Sequence, residues 1–234
     1  MSELEYLKNY SIHNYDTPLF TVDTAIFSVI DDKVNVLLVK RDDHPAKAQY
    51  ALPGGFIDLK KDKQIDDAAY RKLQEKTGIT SPYLEQVATI GSHNRDPRGW
   101  STTVLYFSLI DKTKTKPLQG SQQVLWVPIE QIPPLAFDHN HLIDVALERL
   151  HAKVTYTALP IELLPTEFTL TELQKVYEII LGRTLPTKSF RRRIETAKVI
   201  ENTGNSKISG KRSAQLFTSN GAGRHYIFSR AIAE

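Results

Sequence analysis

The chain has 234 residues, of which 41% are hydrophobic and 24% are charged, and its net charge is +3. These values are ordinary for a soluble globular protein and exclude a disordered chain or a fibre. The sequence contains no cysteine, which excludes disulfides and thiolate metal sites and favours a reducing compartment. The N-terminus lacks the basic and then apolar pattern of a signal peptide, and no apolar stretch is long enough to span a bilayer. We therefore expect a cytoplasmic protein without a membrane partner.

Basic and acidic residues are distributed unevenly along the chain. From Pro160 onward there are 12 basic and 7 acidic residues, a net charge of +5, whereas the remainder has a net charge of −2. The length also exceeds the commonest domain size. We therefore predict two domains with different partners, and a basic C-terminal domain is typical of nucleic-acid binding.

Runs of β-branched and apolar residues predict a sheet in the N-terminal part. Residues 19–41 contain two such runs joined by Asp31-Asp32-Lys33, a pattern typical of a β-hairpin. Further strands are predicted over residues 84–90, 102–110 and 124–127. The N-terminal domain should therefore be built largely on a sheet.

Helical spacing of apolar residues predicts two helices in the same domain. The first covers residues 65–76 and ends at Gly78, and the second covers residues 138–151 with Asp138 as its cap. Combined with the strands, they predict a mixed α/β domain.

A glycine-containing loop and the first helix together form a motif. Leu52-Pro53-Gly54-Gly55-Phe56 is followed by a loop and by Arg71-Lys72-Leu73-Gln74-Glu75-Lys76-Thr77-Gly78. This resembles the Nudix box of nucleoside-diphosphate-linked hydrolases, whose helix reads R-E-U-x-E-E-x-G-U. The resemblance covers roughly residues 18–150 and implies an α/β fold of the α+β type, a mixed-sheet sandwich that binds a phosphate-bearing ligand.

Lysines replace most of the carboxylates of this motif. The family's glutamates correspond here to Lys72, Lys76 and, before the helix, Lys61 or Lys63, and only Glu75 remains. Divalent cations need clustered oxygen ligands to activate water, and ammonium groups repel them. The sequence therefore predicts no metal site and no catalytic residue, so the chain should not be an enzyme.

Two interpretations of Lys72 and Lys76 are open. As an i, i+4 pair they can form a solvated helix face, which is common for charged helix residues. Alternatively, they occupy the place of the cations and pair directly with a diphosphate, which would give binding without turnover.

Residues 93–101 contain Arg95, Arg98 and Trp100 next to Asp96-Pro97 and Gly99. They can form a polar turn, but two guanidinium groups and an indole also suit a phosphate and a base, and we favour the ligand interpretation. The predicted effector site comprises Arg41, Gly54, Gly55, Arg71, Lys72, Lys76, Arg95, Arg98 and Trp100.

Clear periodicity is lost over residues 154–165, where Pro160 and Pro165 would interrupt a helix. We place the domain boundary there, with an effector-binding domain over residues 1–152 and a second domain over residues 153–234.

The second domain is predicted to contain two helices and a hairpin. Thr169 and Glu172 have the spacing of a capping box, and Gly182 ends that helix. Thr187 or Ser189 can cap the next helix. The glycine-containing tail over residues 203–230 is predicted to be a long hairpin whose last strand is at residues 225–228.

The second helix places its cations on one side and its apolar residues on the other. Together with the hairpin it is typical of a winged helix-turn-helix, in which a helix enters the major groove and the wing approaches phosphates. A helical dimerisation domain with a solvated basic face is the alternative. The predicted DNA-binding residues are Thr187, Lys188, Ser189, Arg191, Arg192, Lys207, Lys211, Arg212 and Arg224.

Nearly the whole chain resembles one family, the NrtR family of Nudix-related regulators of bacterial NAD metabolism. The resemblance is carried by residues 83–86, 95–99 and 168–174 in addition to the altered Nudix box. It implies a homodimeric repressor of NAD biosynthesis or salvage genes that leaves a palindromic operator when it binds ADP-ribose. A rearrangement across residues 152–165 would couple the two domains.

Two other functions stay open at this point. A regulator of the same architecture could respond to a sugar, or the chain could be a Nudix pyrophosphatase with an accessory domain.

Overall fold

The computed structural model describes residues 1–80, 83–114, 124–209 and 212–232. Its helices are α1 (Glu3–Asn9), α2 (Ile65–Thr77), α3 (His139–Tyr156), α4 (Leu170–Leu181) and α5 (Thr187–Ala197). Its strands are β1 (Leu19–Ile30), β2 (Lys33–Lys40), β3 (Tyr50–Ala51), β4 (Gly54–Phe56), β5 (Glu85–Ser92), β6 (Ser101–Leu109), β7 (Val124–Pro128), β8 (Ile200–Ser209) and β9 (Arg212–Ser219).

The first two strands form the predicted hairpin. β1 and β2 pair antiparallel up to Ile30 and Lys33. Asp31 and Asp32 form the turn with φ angles of 49° and 60°, a left-handed conformation that aspartate tolerates and that matches the twist of paired strands.

The N-terminal sheet is mixed and has one helix on each face. Its strand order is β3-β2-β1-β6-β5, with β4 paired to β1 and β7 paired to β2. β1 runs parallel to β6 and antiparallel to its other neighbours. Ile26 packs with Leu73 of α2, whereas the adjacent Phe27 packs with Leu142 of α3. This alternation along β1 produces the sandwich that the resemblance implied, and it confirms the fold class.

The helices of this domain differ from the prediction mainly at the ends of α3. α2 ends at Gly78, which is left-handed as predicted. Asp138 occupies the N-cap position of α3, but its side chain makes no capping hydrogen bond because its carboxylate binds Arg95 instead. α3 also continues to Tyr156, five residues past the predicted end at His151.

The C-terminal elements form a helix, turn, helix and hairpin. The capping box of Thr169 and Glu172 and the left-handed Gly182 are both present at the ends of α4. Neither Thr187 nor Ser189 caps α5, because the N-cap is Pro186 and both residues lie inside the helix.

The predicted hairpin has a different second strand. β9, not the segment at residues 225–228, pairs with β8. The prediction was wrong because the chain turns earlier than expected, and residues 225–228 lie beside the end of α3, where Ile227 forms an isolated bridge with Thr157.

Both domains share one apolar core. Val154 and Leu159 are buried in the same cluster as Leu142 of α3, Leu173 of α4 and Phe190 of α5. Residues 154–165 are therefore mostly packed structure, comprising the end of α3 and a 3-10 turn at Leu159–Leu163, and the predicted boundary at residues 152/153 falls within the last turns of α3.

Candidate functional site

A polar cleft of about 250 Å³ opens in the N-terminal domain above β1 and β4. Basic side chains line it from several directions, namely Arg41, Lys72, Lys76, Arg95 and Arg98. The cleft also receives Asp23, Asp43 and Asp96, the rings of Phe56, Phe137 and His139, and Thr21, His44, Leu52, Gly54 and Gly55. The structure therefore brings together seven of the nine predicted effector-site residues.

The two glycines allow the backbone to approach its neighbours closely. A Cβ atom on Gly54 would lie 2.2 Å from Oδ1 of Asp23, and one on Gly55 would lie 3.2 Å from Cε of Lys72. Gly55 also has a φ angle of 145°, which L side chains rarely adopt. The loop therefore lies against Asp23 on one side and the stem of Lys72 on the other.

α2 presents two lysines to the cleft, one turn apart. Nζ of Lys72 lies 3.0 Å from Oε2 of Glu75, and the side chain is 19% exposed. Lys76 also lines the cleft, and it makes no ion pair with any residue that the structure describes. A phosphate in the cleft could therefore contact the ammonium group of Lys76 without breaking an ion pair to any of the described residues.

Two arginines stack on the aromatic rings of the cleft. The guanidinium of Arg98 lies 4.9 Å from the ring centre of Phe56, and that of Arg41 lies 4.7 Å from the ring centre of Phe137. Arg98 also donates two hydrogen bonds to Asp96. Burial, and secondly the positive charge of Arg98, lower the pKa of Arg41. Positive charges crowded in this way favour an anionic ligand.

A buried polar network lies beneath the cleft. Arg95 donates to both carboxylate oxygens of Asp138 at 3.1 Å and to Ser101 at 3.2 Å. Asp23 accepts a 2.8 Å hydrogen bond from Thr103 and lies 3.7 Å from Arg95. The network therefore joins β1 and β6 to the N-terminus of α3.

His139 is buried at the first position of α3. Its Nδ1 accepts a 2.9 Å hydrogen bond from the backbone N–H of Leu52, and its Nε2 lies 3.8 Å from Asp23. Burial lowers the pKa of His139. The ring is therefore neutral at pH 7, with its proton on Nε2.

The lowered pKa of His139 predicts acid sensitivity. In the unfolded chain this group has a pKa of about 6.5, so below that pH the unfolded chain binds a proton that the folded chain does not. The free energy of unfolding should therefore fall as pH decreases below about 6.5, by at most about 1.4 kcal/mol per pH unit for this group. Urea denaturation from pH 7.5 to 5 measures the slope.

The matched variants are His139→Asn and His141→Asn, because His141 is exposed on the same helix. The first should flatten the pH dependence and the second should leave it unchanged. An equal slope in the wild type and the His139→Asn variant would contradict the assignment.

Arg71 and Trp100 were predicted to bind the effector but lie outside the cleft. Arg71 donates to Asp62 and to Glu75, and its guanidinium lowers the pKa of Asp62 to about 2. It therefore fixes the loop before α2. The exposed Trp100 packs its ring over Gly91 and lines a shallow neighbouring depression with Arg98.

The remaining residues of the altered motif also lie away from the cleft. Lys61 pairs with Asp58 on the surface, Lys63 is exposed, and neither lines the cleft. Partial burial raises the pKa of Glu75, but hydrogen bonds from Lys72 and Arg71 outweigh this effect and lower it overall. Glu75 is therefore an ionised partner of these cations.

Several cleft residues were missed from the sequence, and they come from distant segments. Asp23 lies within a buried strand. The only sequence feature that could have indicated its place in the cleft was the presence of an acidic residue in a predicted strand. Phe137 has a φ angle of 57°, and it directly precedes the N-cap of α3. Only the fold brings these residues to the glycine loop.

In the C-terminal domain, α5 has an apolar side and a basic side, as predicted. Phe190, Ile194 and Ala197 are buried. The opposite side exposes Thr187, Lys188, Arg191 and Arg192, and Ser189 is half-buried. This basic face is available to a partner.

A groove separates α5 from the hairpin of β8 and β9. Arg191 and Lys207 line it from opposite sides, together with Glu172. Nζ of Lys207 lies 3.0 Å from Oε1 of Glu172. The hairpin therefore stands beside α5 as the predicted wing.

The other predicted DNA contacts are placed differently. Arg224 lies beyond the wing, in a 3-10 turn at Ala222–Arg224, and pairs with Glu162 at 3.0 Å. Arg212 is the first residue of β9. Lys211 lies outside the described residues.

Comparison with known proteins identifies both domains. Residues 19–146 match the NUDIX domain family, and residues 160–218 match the NrtR DNA-binding winged helix domain. The chain is 54% identical over 219 residues to the ADPR responsive transcriptional repressor NtrR of Acinetobacter baylyi, covering 92% of this chain and 88% of the relative. The chain belongs to the NrtR family. The resemblance predicted from the sequence is thereby confirmed.

Solved structures of the same family agree with this fold. Shewanella oneidensis NrtR in complex with a 27mer DNA is 40% identical and superposes with a TM-score of 0.86, covering 91% of this chain and 98% of that one. The NUDIX domain of the same protein, in complex with ADP ribose, is 42% identical with a TM-score of 0.59 and covers 64% of this chain and 99% of that one.

Among the residues that the structure describes, no helix is both long and apolar enough to cross a membrane. No three His, Asp or Glu side chains among those residues are grouped so that they could hold a metal ion.

Proposed function

We propose that this chain is an ADP-ribose-responsive transcriptional repressor that binds a palindromic operator as a homodimer and regulates NAD biosynthesis or salvage genes. The observation that carries the proposal is the convergence of Arg41, Lys72, Lys76, Arg95 and Arg98 on one cleft. Its relative from Acinetobacter baylyi is an ADPR responsive transcriptional repressor. In this proposal residues 1–152 bind the effector and residues 153–234 bind DNA.

The chemistry of the cleft suits a nucleoside diphosphate. Guanidinium and ammonium groups form charge-assisted hydrogen bonds with phosphate oxygens, and the backbone at Gly54 and Gly55 offers close approach. The rings of Phe56 and Phe137 give apolar surface beside the same charges. A neutral sugar would make no use of this excess of cations.

The residues in the cleft do not fit the divalent cations that hydrolysis by the NUDIX fold requires. Lys72 and Lys76 stand where oxygen ligands are needed, and the carboxylate of Glu75 is held by Lys72 and Arg71. We therefore propose a binding site without a catalytic residue or a bound metal, in which the lysines pair with the ligand themselves.

The face of α5 and the wing provides the proposed DNA contact. Lys188, Arg191 and Arg192 are exposed on α5, and Lys207 stands on the wing across the groove. α5 would enter the major groove and the wing would approach the phosphates. Thr187 and Ser189 at the start of α5 and Arg212 at the start of β9 complete the proposed interface, together with Lys211 as predicted from the sequence. Arg224 lies beyond the wing, where it pairs with Glu162.

A gel-shift with the DNA upstream of the gene tests the function directly. The chain should bind this DNA, ADP-ribose should release it, and arabinose should have no effect. Release by arabinose alone would support the sugar-responsive alternative. Incubation with ADP-ribose and magnesium should give no AMP or ribose 5-phosphate, the two products of hydrolysis at the pyrophosphate bond, and their appearance would identify a pyrophosphatase.

A further inference from the structure

The C-terminal segment at residues 226–232, which we call the strap, is fastened to the end of α3. The backbone N–H of Phe228 donates to the carbonyl of Tyr156 at 2.8 Å, and that of Ile232 donates to the carbonyl of Thr155 at 2.6 Å. The N–H of Ala158 donates to the carbonyl of Tyr226 at 3.3 Å. Phe228 and Ile232 are also buried in the shared core. The strap is therefore an ordered part of the fold.

The same strap is bound by the proposed recognition helix. Arg193 of α5 donates from Nη1 to the backbone carbonyl of Arg230 at 3.1 Å and also to the carbonyl of Ala231. This arginine lies between Arg191 and Arg192 on one side and the buried Ile194 on the other, and it is less exposed than the two preceding arginines. Its side chain is thus engaged with the protein, whereas Arg192 is directed to solvent.

The opposite end of α3 reaches the effector cleft. His139 lines the cleft, and Asp138 immediately before it accepts two hydrogen bonds from Arg95, a second cleft residue. α3 has 18 residues, so it spans about 27 Å as a single rigid element. One helix therefore contacts the cleft at its N-terminus and the strap at its C-terminus.

We propose that the strap couples the cleft to α5 and that Arg193 is the positioning residue that completes this link. The inference rests on the proposed function. A ligand that competes with Asp138 for Arg95 changes the position of α3 at its N-terminus. The carbonyls of Thr155 and Tyr156 then carry the strap with them, and the strap moves α5 through Arg193. The hydrogen bonds of Arg193 to the strap thereby make the DNA affinity of the liganded state differ from that of the free state.

The test compares Arg193→Ala with Arg192→Ala and the conservative variant Arg193→Lys in the full chain. For each, the affinity for the upstream DNA is measured by fluorescence anisotropy without and with saturating ADP-ribose, and ADP-ribose binding is measured by calorimetry. The ratio of the two DNA affinities is the coupling factor.

Arg193→Ala should bind ADP-ribose as the wild type does but reduce the coupling factor by about tenfold, and lysine, which can still donate to a carbonyl, should restore part of it. Arg192→Ala should weaken DNA binding in both states and leave the coupling factor unchanged. A wild-type coupling factor in Arg193→Ala would overturn the proposal. If ADP-ribose left the DNA affinity of the wild type unchanged, the proposed function would be overturned instead, and the proposed coupling would fail with it.

Hydrogen–deuterium exchange of the unmodified chain gives a second readout that does not depend on a variant's folding. Saturating ADP-ribose should change amide exchange in the strap and in α5. Unchanged exchange in both segments, with protection confined to the cleft, would contradict a link through the strap.

Discussion

Replacing Lys72 and Lys76 together by glutamate should weaken ADP-ribose binding by about 100-fold or more. Both side chains line the cleft, and a hydrogen bond to a charged group contributes roughly 1.5–3 kcal/mol, so the loss of two such contacts reaches about 3 kcal/mol even before repulsion is added. The variant would retain DNA binding, since neither lysine belongs to the C-terminal domain, but ADP-ribose would no longer release it.

Calorimetry in the presence of a chelator measures this loss without metal-mediated binding. The matched control is Lys61→Glu with Lys63→Glu, which changes the net charge equally but alters lysines outside the cleft, and it should bind as the wild type does. Since the cleft variant restores two carboxylates of the Nudix motif, the titration is repeated with magnesium. Wild-type affinity of the cleft variant under chelating conditions would show that these lysines form only a solvated helix face.

Replacing Lys188, Arg191 and Arg192 together by alanine should weaken operator binding by about 100-fold or more. All three side chains are exposed on one side of α5, and each lost contact to DNA costs roughly 1–3 kcal/mol. Each phosphate contact removed also lowers the dependence of log affinity on log salt by about 0.9. The buried Phe190 and Ile194 are unchanged, so α5 should keep its place in the core.

Fluorescence anisotropy at several salt concentrations measures both effects. A triple variant of Lys8, Lys47 and Lys63, which are exposed in the N-terminal domain, removes the same charge and should change affinity only slightly. If both triple variants lost affinity equally, the overall charge of the protein, and not the α5 face, would account for binding.

The elements with strong local signals were predictable from the sequence. The turn at Asp31-Asp32, the end of α2 at Gly78 and the capping box of α4 all appear as expected, because each depends on residues close together in the chain. The amphipathic pattern of α5 was equally clear. The last strand of the wing was misplaced, since a run such as residues 225–228 does not indicate which segment it will lie beside.

The candidate effector site was only partly predictable, because the contacts of its arginines depend on their neighbours. Arg71 stands in the motif but is held by Asp62 and Glu75. Arg95 faces the cleft while its donors are occupied by Asp138 and Ser101. Such pairings join residues far apart in the sequence, so no local pattern indicates them.

The sequence by itself determined the family and the two-domain organisation, and it predicted the replacement of carboxylates by lysines, because these depend on residue types and short spacings. Tertiary structure alone decided which of these lysines line the cleft. Folding directs Lys72 and Lys76 of α2 into the cleft and leaves Lys61 and Lys63 on the outside. It also continues α3 past the expected boundary, because apolar residues such as Val154 are buried in a core that both domains share.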